Sequence, residues 1–339
     1  MTKMREGRAS AIWTALAAGS LGYLAPALTQ SGRLAWAIPL LCILPALGIG
    51  WAWKQTEDFT RAVGRPVLAF YYIWGLVLLA ESGMGYAARL RTAAQWDSPW
   101  LFLGAAAALS LWLCRGTGAI QARAGRLLFL IVAVVLALSL ALSLPGLQWE
   151  NIWPIEGKEL ARAPASLLFW LSLSGYGVYG LFLPAGNGRS WPWTVAVGVT
   201  VAGLLLALTG SFGAPLAGER EEPILLLLEG VQVPGVFRHG EAALEGGLAL
   251  ADLTLMAVVT YGCKAVWQEA EPEAPAWPGL VLPAGAILTA GVIPPQWQRP
   301  LTAYVVPVGN LILGILIPAV TVLIRKGTKR TKTRSIFSV

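Results

Sequence analysis

Charged residues are scarce in this sequence, and their scarcity decides its class. Asp, Glu, Lys and Arg make up 13% of the 339 residues, whereas a soluble domain carries about 25%. Hydrophobic residues make up 56% of the chain. A soluble globular protein is therefore excluded, and the composition predicts an all-α polytopic membrane protein.

Histidine and cysteine are also scarce, which bears on metal and disulfide chemistry. His239 is the single histidine, and the three cysteines are Cys42, Cys114 and Cys263. The cysteines fall in or at the ends of apolar runs and form no C-x-x-C pair. We therefore expect no metal site, no disulfide framework and no cofactor.

Motifs for nucleotide hydrolysis and for common hydrolytic chemistry are missing. The sequence contains no G-x-x-x-x-G-K-[ST] loop, which would cradle the phosphates of ATP. It also contains no G-x-S-x-G nucleophile elbow and no H-E-x-x-H zinc motif. We expect a protein that is not an enzyme and does not use ATP.

Long apolar runs fill the chain instead. A membrane-spanning helix needs about 20 predominantly apolar residues. By that measure the sequence predicts about ten spans, at residues 10–28, 34–53, 66–88, 99–115, 124–144, 165–184, 191–212, 240–266, 277–293 and 302–324. The longest stretch between spans, 213–240, is predicted to be an extracytoplasmic cap, a re-entrant segment or a plain connector.

Basic residues are concentrated on one side of the predicted spans. An even number of spans puts both termini on the same side, which then includes the basic tail 325–339. Because Lys and Arg favour cytoplasmic loops, both termini are predicted to be cytoplasmic. The tail is expected to contact anionic lipid at the bilayer and not nucleic acid.

A matched pair of motifs is the most informative pattern. Residues 19–26 and 177–184 both read G-x-x-G-x-x-x-P, and they lie in the first and sixth predicted spans. This placement predicts one transmembrane domain, 1–339, built as a 5+5 inverted repeat with discontinuous helices 1 and 6. The first repeat covers about 10–144 and the second about 165–324.

Glycine and proline at these motifs predict a ligand site. Glycine lets the backbone leave the helix, and proline removes an amide donor. Freed amides at mid-membrane suit the carboxylate of an amino acid or a similar small anion. The predicted ligand-binding residues are Gly19, Ser20, Gly22, Tyr72, Gly175, Tyr176 and Gly177. Close helix packing through G-x-x-G is the alternative interpretation.

Two acidic residues lie inside predicted spans, Glu81 in the third and Asp252 in the eighth. An intramembrane carboxylate is a functional hypothesis by default. Each of the two could carry a proton, pair with a substrate ammonium or form a structural salt bridge. No Lys or Arg is predicted deep in a span, and we expect Glu81 and Asp252 to provide proton or charge coupling.

Several segments together resemble the spore germination permeases, the B subunits of germinant receptors in the amino acid–polyamine–organocation superfamily. The similar segments are Gly19 to Pro26 in the first span, Gly235 to Ala242 before the eighth, Tyr304 to Pro307, Ile317-Pro318 and the basic tail from Arg325. The resemblance covers nearly the whole chain, without one sharp motif.

This resemblance implies a ten-helix inverted-repeat fold and recognition of a germinant, often an amino acid. It implies residence in the inner membrane of the spore, with an A-type subunit and a lipoprotein C-type subunit as partners. Glu81 is chosen from its place in the sequence and not from the family. A proton-coupled amino acid transporter of the same superfamily is the alternative function.

Overall fold

The structure is a computed structural model that describes residues 7–54, 63–94, 98–116, 118–182, 191–220, 222–229 and 240–324. All regular structure in these ranges is helical, which confirms the predicted all-α class. The basic tail, Pro184 and the stretch 230–239 lie outside the described residues.

Fifteen helices are labelled in chain order. They are α1 Gly7–Gly22, α2 Leu24–Ser31, α3 Ala37–Lys54, α4 Arg65–Ala94, α5 Trp100–Cys114, α6 Gly118–Ser143, α7 Trp149–Ile152, α8 Gly157–Leu171, α9 Ser174–Gly177, α10 Trp191–Phe212, α11 Ala214–Glu219, α12 Pro223–Glu229, α13 Gly240–Ala270, α14 Pro278–Thr289 and α15 Leu301–Ile324. A 3₁₀ helix, Val178–Phe182, continues α9.

Five segments of the described chain are long and apolar enough to cross a membrane: Arg65–Arg91, Gly157–Phe182, Thr194–Phe212, Leu244–Ala270 and Leu301–Ile324. A sixth is the pair Leu24–Leu34 and Ala37–Trp53, if this pair, bent by 109°, counts as one span. The chain is thus built as a helical membrane protein.

The predicted number of spans is not confirmed, and helix length is the reason. The segments Trp100–Cys114, Leu130–Gly146 and Pro278–Thr289 are apolar but shorter. At 1.5 Å per residue, a 15-residue helix such as Trp100–Cys114 is only about 22 Å long, less than the hydrocarbon core of about 30 Å. Each segment nevertheless coincides with a predicted span.

Helix α13 lies at the centre of the bundle. It packs against α1, α4, α5, α6 and α14, which belong to both predicted repeats. Small residues let its neighbours approach closely: a Cβ on Gly262 would lie 2.8 Å from the Tyr179 side chain. Helix α13 thus packs closely against Tyr179, which lies three residues after Tyr176 of the site described below.

A polar latch fixes the start of α8 to the end of α2. Glu159 closes the capping box of α8 with Glu156 and also accepts a 2.8 Å hydrogen bond from the backbone N–H of Arg33. The Arg33 guanidinium donates to the Pro154 carbonyl at 2.9 Å. Gly32 makes the approach possible, because its φ is +57° and its missing side chain leaves room for Glu159.

Candidate functional site

The first predicted interruption lies between α1 and α2. Helix α1 ends at Gly22, α2 begins at Leu24, and the Tyr23 amide donates to the Ser20 carbonyl at 3.1 Å, an i→i−3 bond. Pro26 has no N–H to donate to the Gly22 carbonyl, four residues earlier, so the α-helical pattern cannot run through. The sequence therefore explains the position of this break.

The second interruption lies between α8 and α9. The amides of Leu173, Gly175 and Tyr176 donate to carbonyls three residues earlier, at 2.9–3.2 Å. The chain then continues as the 3₁₀ helix Val178–Phe182. Serine and glycine are poor helix formers, and they dominate this stretch.

The two interruptions lie against each other. A Cβ on Gly19 would be only 2.9 Å from the Tyr176 ring. The rings of Tyr23 and Tyr176 meet edge to face, with centroids 6.0 Å apart. A Cβ on Gly177 would lie 3.0 Å from Trp53. Gly19 and Gly177 therefore serve as close-packing positions, as the alternative interpretation of the motifs expected.

Ser20 and Gly22 differ from these glycines. The Ser20 hydroxyl donates to the Ala17 carbonyl of its own helix at 2.7 Å. Gly22 is exposed, and a Cβ there would meet nothing within 4 Å. Among the residues predicted to bind the ligand, Gly22 therefore has open space beside it at the break.

Backbone amides were expected to be the anion donors at these breaks. The amides of Tyr23, Gly175 and Tyr176 instead donate to carbonyls within their own turns. A 3₁₀ turn re-satisfies groups that a break would otherwise leave free. These three amides are therefore occupied and are not available to a ligand.

Glu81 lies beside the second interruption. Its Oε2 accepts a 3.0 Å hydrogen bond from the Tyr176 hydroxyl, and its Oε1 accepts a 2.9 Å bond from the Thr302 hydroxyl. Glu81 is partly buried. No described basic side chain forms an ion pair with it. The carboxylate thus joins α4, α9 and α15.

Helix α15 closes the site from the other side. It contains two π-helical turns, Leu301–Val305 and Ile312–Leu316, which are frequent at functional sites. Between them, the Asn310 side chain fills the space next to Gly175, where a Cβ would clash with it. The Leu313 carbonyl in the second π turn accepts a 2.5 Å bond from Tyr71.

Tyr72 faces a different part of the bundle. Its hydroxyl donates to the Pro278 carbonyl at 2.6 Å, and its ring packs on Trp267 with centroids 5.4 Å apart. These partners belong to α13 and to the start of α14. The structure does not bring Tyr72 to the two interruptions, and its ligand-binding role stays a prediction.

Asp252 has a basic partner that the sequence analysis did not expect. Arg89 donates from Nη1 to Asp252 and from Nε to Oε1 of Glu222, the latter at 2.7 Å. Arg89 was predicted to lie just outside the third span, but α4 continues to Ala94 and the Arg89 side chain is only 5% exposed near the end of the segment Arg65–Arg91. Arg89 of α4 thus connects Asp252 of α13 with Glu222, the residue that precedes α12.

Sequence reasoning missed Tyr23, Thr302, Asn310, Arg89 and Glu222. Asn310 had a readable signal, since it is a carboxamide inside the apolar run 301–324. The signal for Arg89 was weaker, because this residue follows an apolar run and was assigned to a loop. Glu222 and Thr302 depend on tertiary contacts that no local pattern predicts.

Metal ligands do not converge in the part of the chain that the structure describes. No three residues among its His, Cys, Asp and Glu lie close enough to hold an ion. Its free cysteines are Cys42, Cys114 and Cys263, all buried. The chemistry available at the interruptions is therefore hydrogen bonding and charge, supplied by hydroxyl, amide and carboxylate groups.

No protein-family model matches the chain, and no curated protein matches its sequence. Membership of the spore germination permeases therefore stays a prediction from the segments of similar sequence.

Proposed function

We propose that the chain is a permease-like membrane protein that binds a small, amino acid-like ligand at the two helix interruptions. One observation carries the proposal: the interruptions touch each other through Gly19 and Tyr176, and Tyr176 also holds the Glu81 carboxylate. In inverted-repeat transporters, interrupted helices form the ligand site near the bilayer midplane, and a carboxylate inside the membrane marks a functional site.

The balance of charge supports a ligand with an ammonium group. Arg89 carries one positive charge and contacts Asp252 and Glu222, two carboxylates. Glu81 adds a further negative charge with hydroxyl donors only. An anionic excess inside a low-dielectric bundle favours the entry of a cationic group or a proton.

The predicted topology agrees with this proposal. Interruptions in the first and sixth predicted spans would run in opposite directions across the bilayer in a ten-helix 5+5 inverted repeat. The basic residues favour cytoplasmic termini for that arrangement. Both features remain parts of the proposal, to be tested by mapping the exposure of the termini.

The biological role is proposed from the resemblance to spore germination permeases. In that role the chain is the germinant-sensing subunit of a receptor in the inner spore membrane, with A-type and lipoprotein C-type subunits as partners. Ligand binding shifts an equilibrium between two states, which requires different affinities for the two. Co-purification of all three subunits from spores would support this role.

Proton-coupled amino acid transport is the second candidate, and Glu81 is the observation that favours it. A carboxylate held by two hydroxyls, without a basic partner, can gain and lose a proton during a transport cycle. Asp252 is less suited, because Arg89 neutralises it. Transport should therefore depend more on Glu81 than on Asp252.

Two measurements on purified protein test these functions. A thermal-shift screen over the twenty L-amino acids should reveal at least one that raises the Tm, and Glu81→Gln should abolish that shift. Uptake of the same amino acid into proteoliposomes under a proton gradient separates a transporter from a sensor. If no amino acid changes the Tm of the wild-type protein, the proposal is wrong.

A further inference from the structure

Three buried polar atoms beside the second interruption have no hydrogen-bond partner. They are Nδ2 of Asn310, the hydroxyl of Tyr23 and the hydroxyl of Ser174. Asn310 and Tyr23 are fully buried, and Ser174 is 7% exposed. Buried polar groups in proteins are nearly always satisfied, so a cluster of unsatisfied donors requires an explanation.

The orientation of Asn310 follows from its neighbour. The Trp74 indole N–H donates to Oδ1 of Asn310 at 2.9 Å. Because an indole can only donate, the amide oxygen must face Trp74, and the amide nitrogen must point away from it. Asn310 therefore presents a fixed N–H donor on its other side.

The three groups lie around the contact between the second interruption and α15. The Asn310 side chain occupies the space next to Gly175, and the Ser174 hydroxyl is the neighbouring group, next to Gly314 of the last helix. The Tyr23 hydroxyl lies beside the side chains of Tyr176, Ser172 and Asn310, although it makes no hydrogen bond of regular geometry. All three can donate a hydrogen bond, and all lie at the meeting point of the interruptions and α15.

Tyr176 connects this donor cluster to an acceptor. Its ring packs edge to face against Tyr23, and its hydroxyl donates to Glu81. A carboxylate has about four lone-pair sites, and Glu81 uses one on each oxygen for Tyr176 and Thr302. Glu81 therefore keeps acceptor capacity for an additional donor.

We propose that Asn310, Tyr23 and Ser174 bind the carboxylate of a zwitterionic ligand, while Glu81 binds its ammonium group. The inference rests on the proposed function and assigns a polarity to that ligand. It moves the anion-binding role from the backbone amides of Tyr23, Gly175 and Tyr176, which donate to carbonyls three residues earlier, to the side chains of Asn310, Tyr23 and Ser174. It also makes Asn310 of α15 a specificity-determining residue.

The test uses the amino acid that gives the largest thermal shift, together with its decarboxylated amine and its deaminated acid. Affinities for all three are measured by titration on purified wild-type protein, Asn310→Asp and Glu81→Gln. Asn310→Asp keeps the shape and the acceptor for Trp74 but replaces the donor with a negative charge. We expect at least a tenfold loss of affinity for the amino acid and the acid, and no change for the amine. Glu81→Gln should give the reverse pattern, with loss for the amino acid and the amine only.

Tyr23→Phe provides a second variant in case Asn310→Asp folds poorly, which the Tm of the unliganded protein reports. It removes one donor and should weaken amino acid binding several-fold while sparing the amine. Asn151→Asp is the matched control, since its amide nitrogen donates to the Gly210 carbonyl, away from the interruptions.

The failures of the two proposals are distinguishable. If the amino acid binds to Asn310→Asp and Tyr23→Phe as tightly as to the wild type, the carboxylate subsite is wrong and the proposed function stands. If neither the amino acids nor their amines and acids bind to the wild type, the proposed function fails, and this inference fails with it.

Discussion

The Tyr176 hydroxyl donates a 3.0 Å hydrogen bond to Glu81 and so joins the second helix interruption to α4. The same tyrosine fills the space left by Gly19 at the first interruption. One side chain thus contacts both broken helices and the carboxylate that is proposed to bind the ligand. Ligand binding at Glu81 would therefore change the contacts of both interrupted helices through Tyr176.

Removal of the Tyr176 hydroxyl tests this connection. Tyr176→Phe should lower the Tm, because a hydrogen bond to a charged group contributes roughly 1.5–3 kcal/mol to stability, and it should weaken amino acid binding, because Tyr176 no longer holds the Glu81 carboxylate at the interruption. Tyr179→Phe is the matched control: it lies one turn further and loses a 2.7 Å bond to the Tyr71 carbonyl, away from Glu81. Titration of both variants decides the point, and equal affinities would contradict the assigned role of Tyr176.

A methyl group at Gly19 should disturb the contact between the two interruptions. In Gly19→Ala the added Cβ would lie 2.9 Å from the Tyr176 ring, so the ring must shift and its bond to Glu81 must lengthen. Overpacking of this kind costs about 1–3 kcal/mol, and ligand affinity should fall with the Tm.

Gly104→Ala is the control for that substitution. Gly104 lies inside α5 with nothing within 4 Å of an added Cβ. Replacing glycine by alanine within an open helix face stabilises it by about 0.5–1 kcal/mol. Thermal melts of the two variants should therefore move in opposite directions, and a stabilised Gly19→Ala protein would argue against the described contact.

The Arg89–Asp252 pair should be strongly coupled in stability. Arg89→Met leaves Asp252 buried without its partner, a change that costs about 3–5 kcal/mol. Combining Arg89→Met with Asp252→Leu removes both charges, and the double variant should melt closer to the wild type than Arg89→Met does. Additive losses in this double-mutant cycle would show that the two side chains do not interact.

An exposed ion pair gives the comparison. Lys158 and Glu156 lie 2.6 Å apart, but their side chains are 68% and 50% exposed. Solvent screens such a pair, so Lys158→Ala should leave the Tm unchanged. The difference in Tm between Arg89→Met and Lys158→Ala shows whether burial, and not only the short distance between opposite charges, makes an ion pair stabilising.

Gly32 should tolerate no side chain. Its φ of +57° is unfavourable for other residues, and an added Cβ would collide with Glu159. Gly32→Ala should therefore destabilise the latch between α2 and α8 by about 1–3 kcal/mol. Gly157→Ala is the control, since an added Cβ there meets nothing within 4 Å. Comparable Tm values for the two would contradict the described latch.

The sequence predicted the main parts of the site but not their contacts. The G-x-x-G motif at residues 19–26 predicted the interruption near Gly22, because glycine and proline act locally on the backbone. The motif at residues 177–184 begins after the second interruption, which lies between Leu171 and Ser174, and its Pro184 lies outside the described residues. Glu81 was recognisable as a carboxylate inside an apolar run. These features depend on neighbouring residues in the chain and are therefore readable without a fold.

Other parts depend on tertiary packing. Thr302 reaches Glu81, and Asn310 reaches Gly175, only because α15 packs across the second interruption. Arg89 was assigned to a loop because the end of α4 is polar, although the helix continues and Asp252 stabilises the charge there. Ten spans were predicted, but only five or six segments of the described chain are long and apolar enough to cross a membrane. The difference arises because an apolar sequence does not show where each helix ends.

Ligand protection of Gly22 tests the central claim most directly. Gly22 is exposed at the first interruption. A Gly22→Cys variant, in a background without Cys42, Cys114 and Cys263, can be labelled with a thiosulfonate reagent. Gly285→Cys, at an open position of α14, serves as the control.

We predict that a saturating concentration of the amino acid found by thermal shift slows labelling at Gly22→Cys at least fivefold and leaves Gly285→Cys unchanged. Labelling of Gly22→Cys at the same rate with and without that amino acid would contradict a ligand site at the helix interruptions.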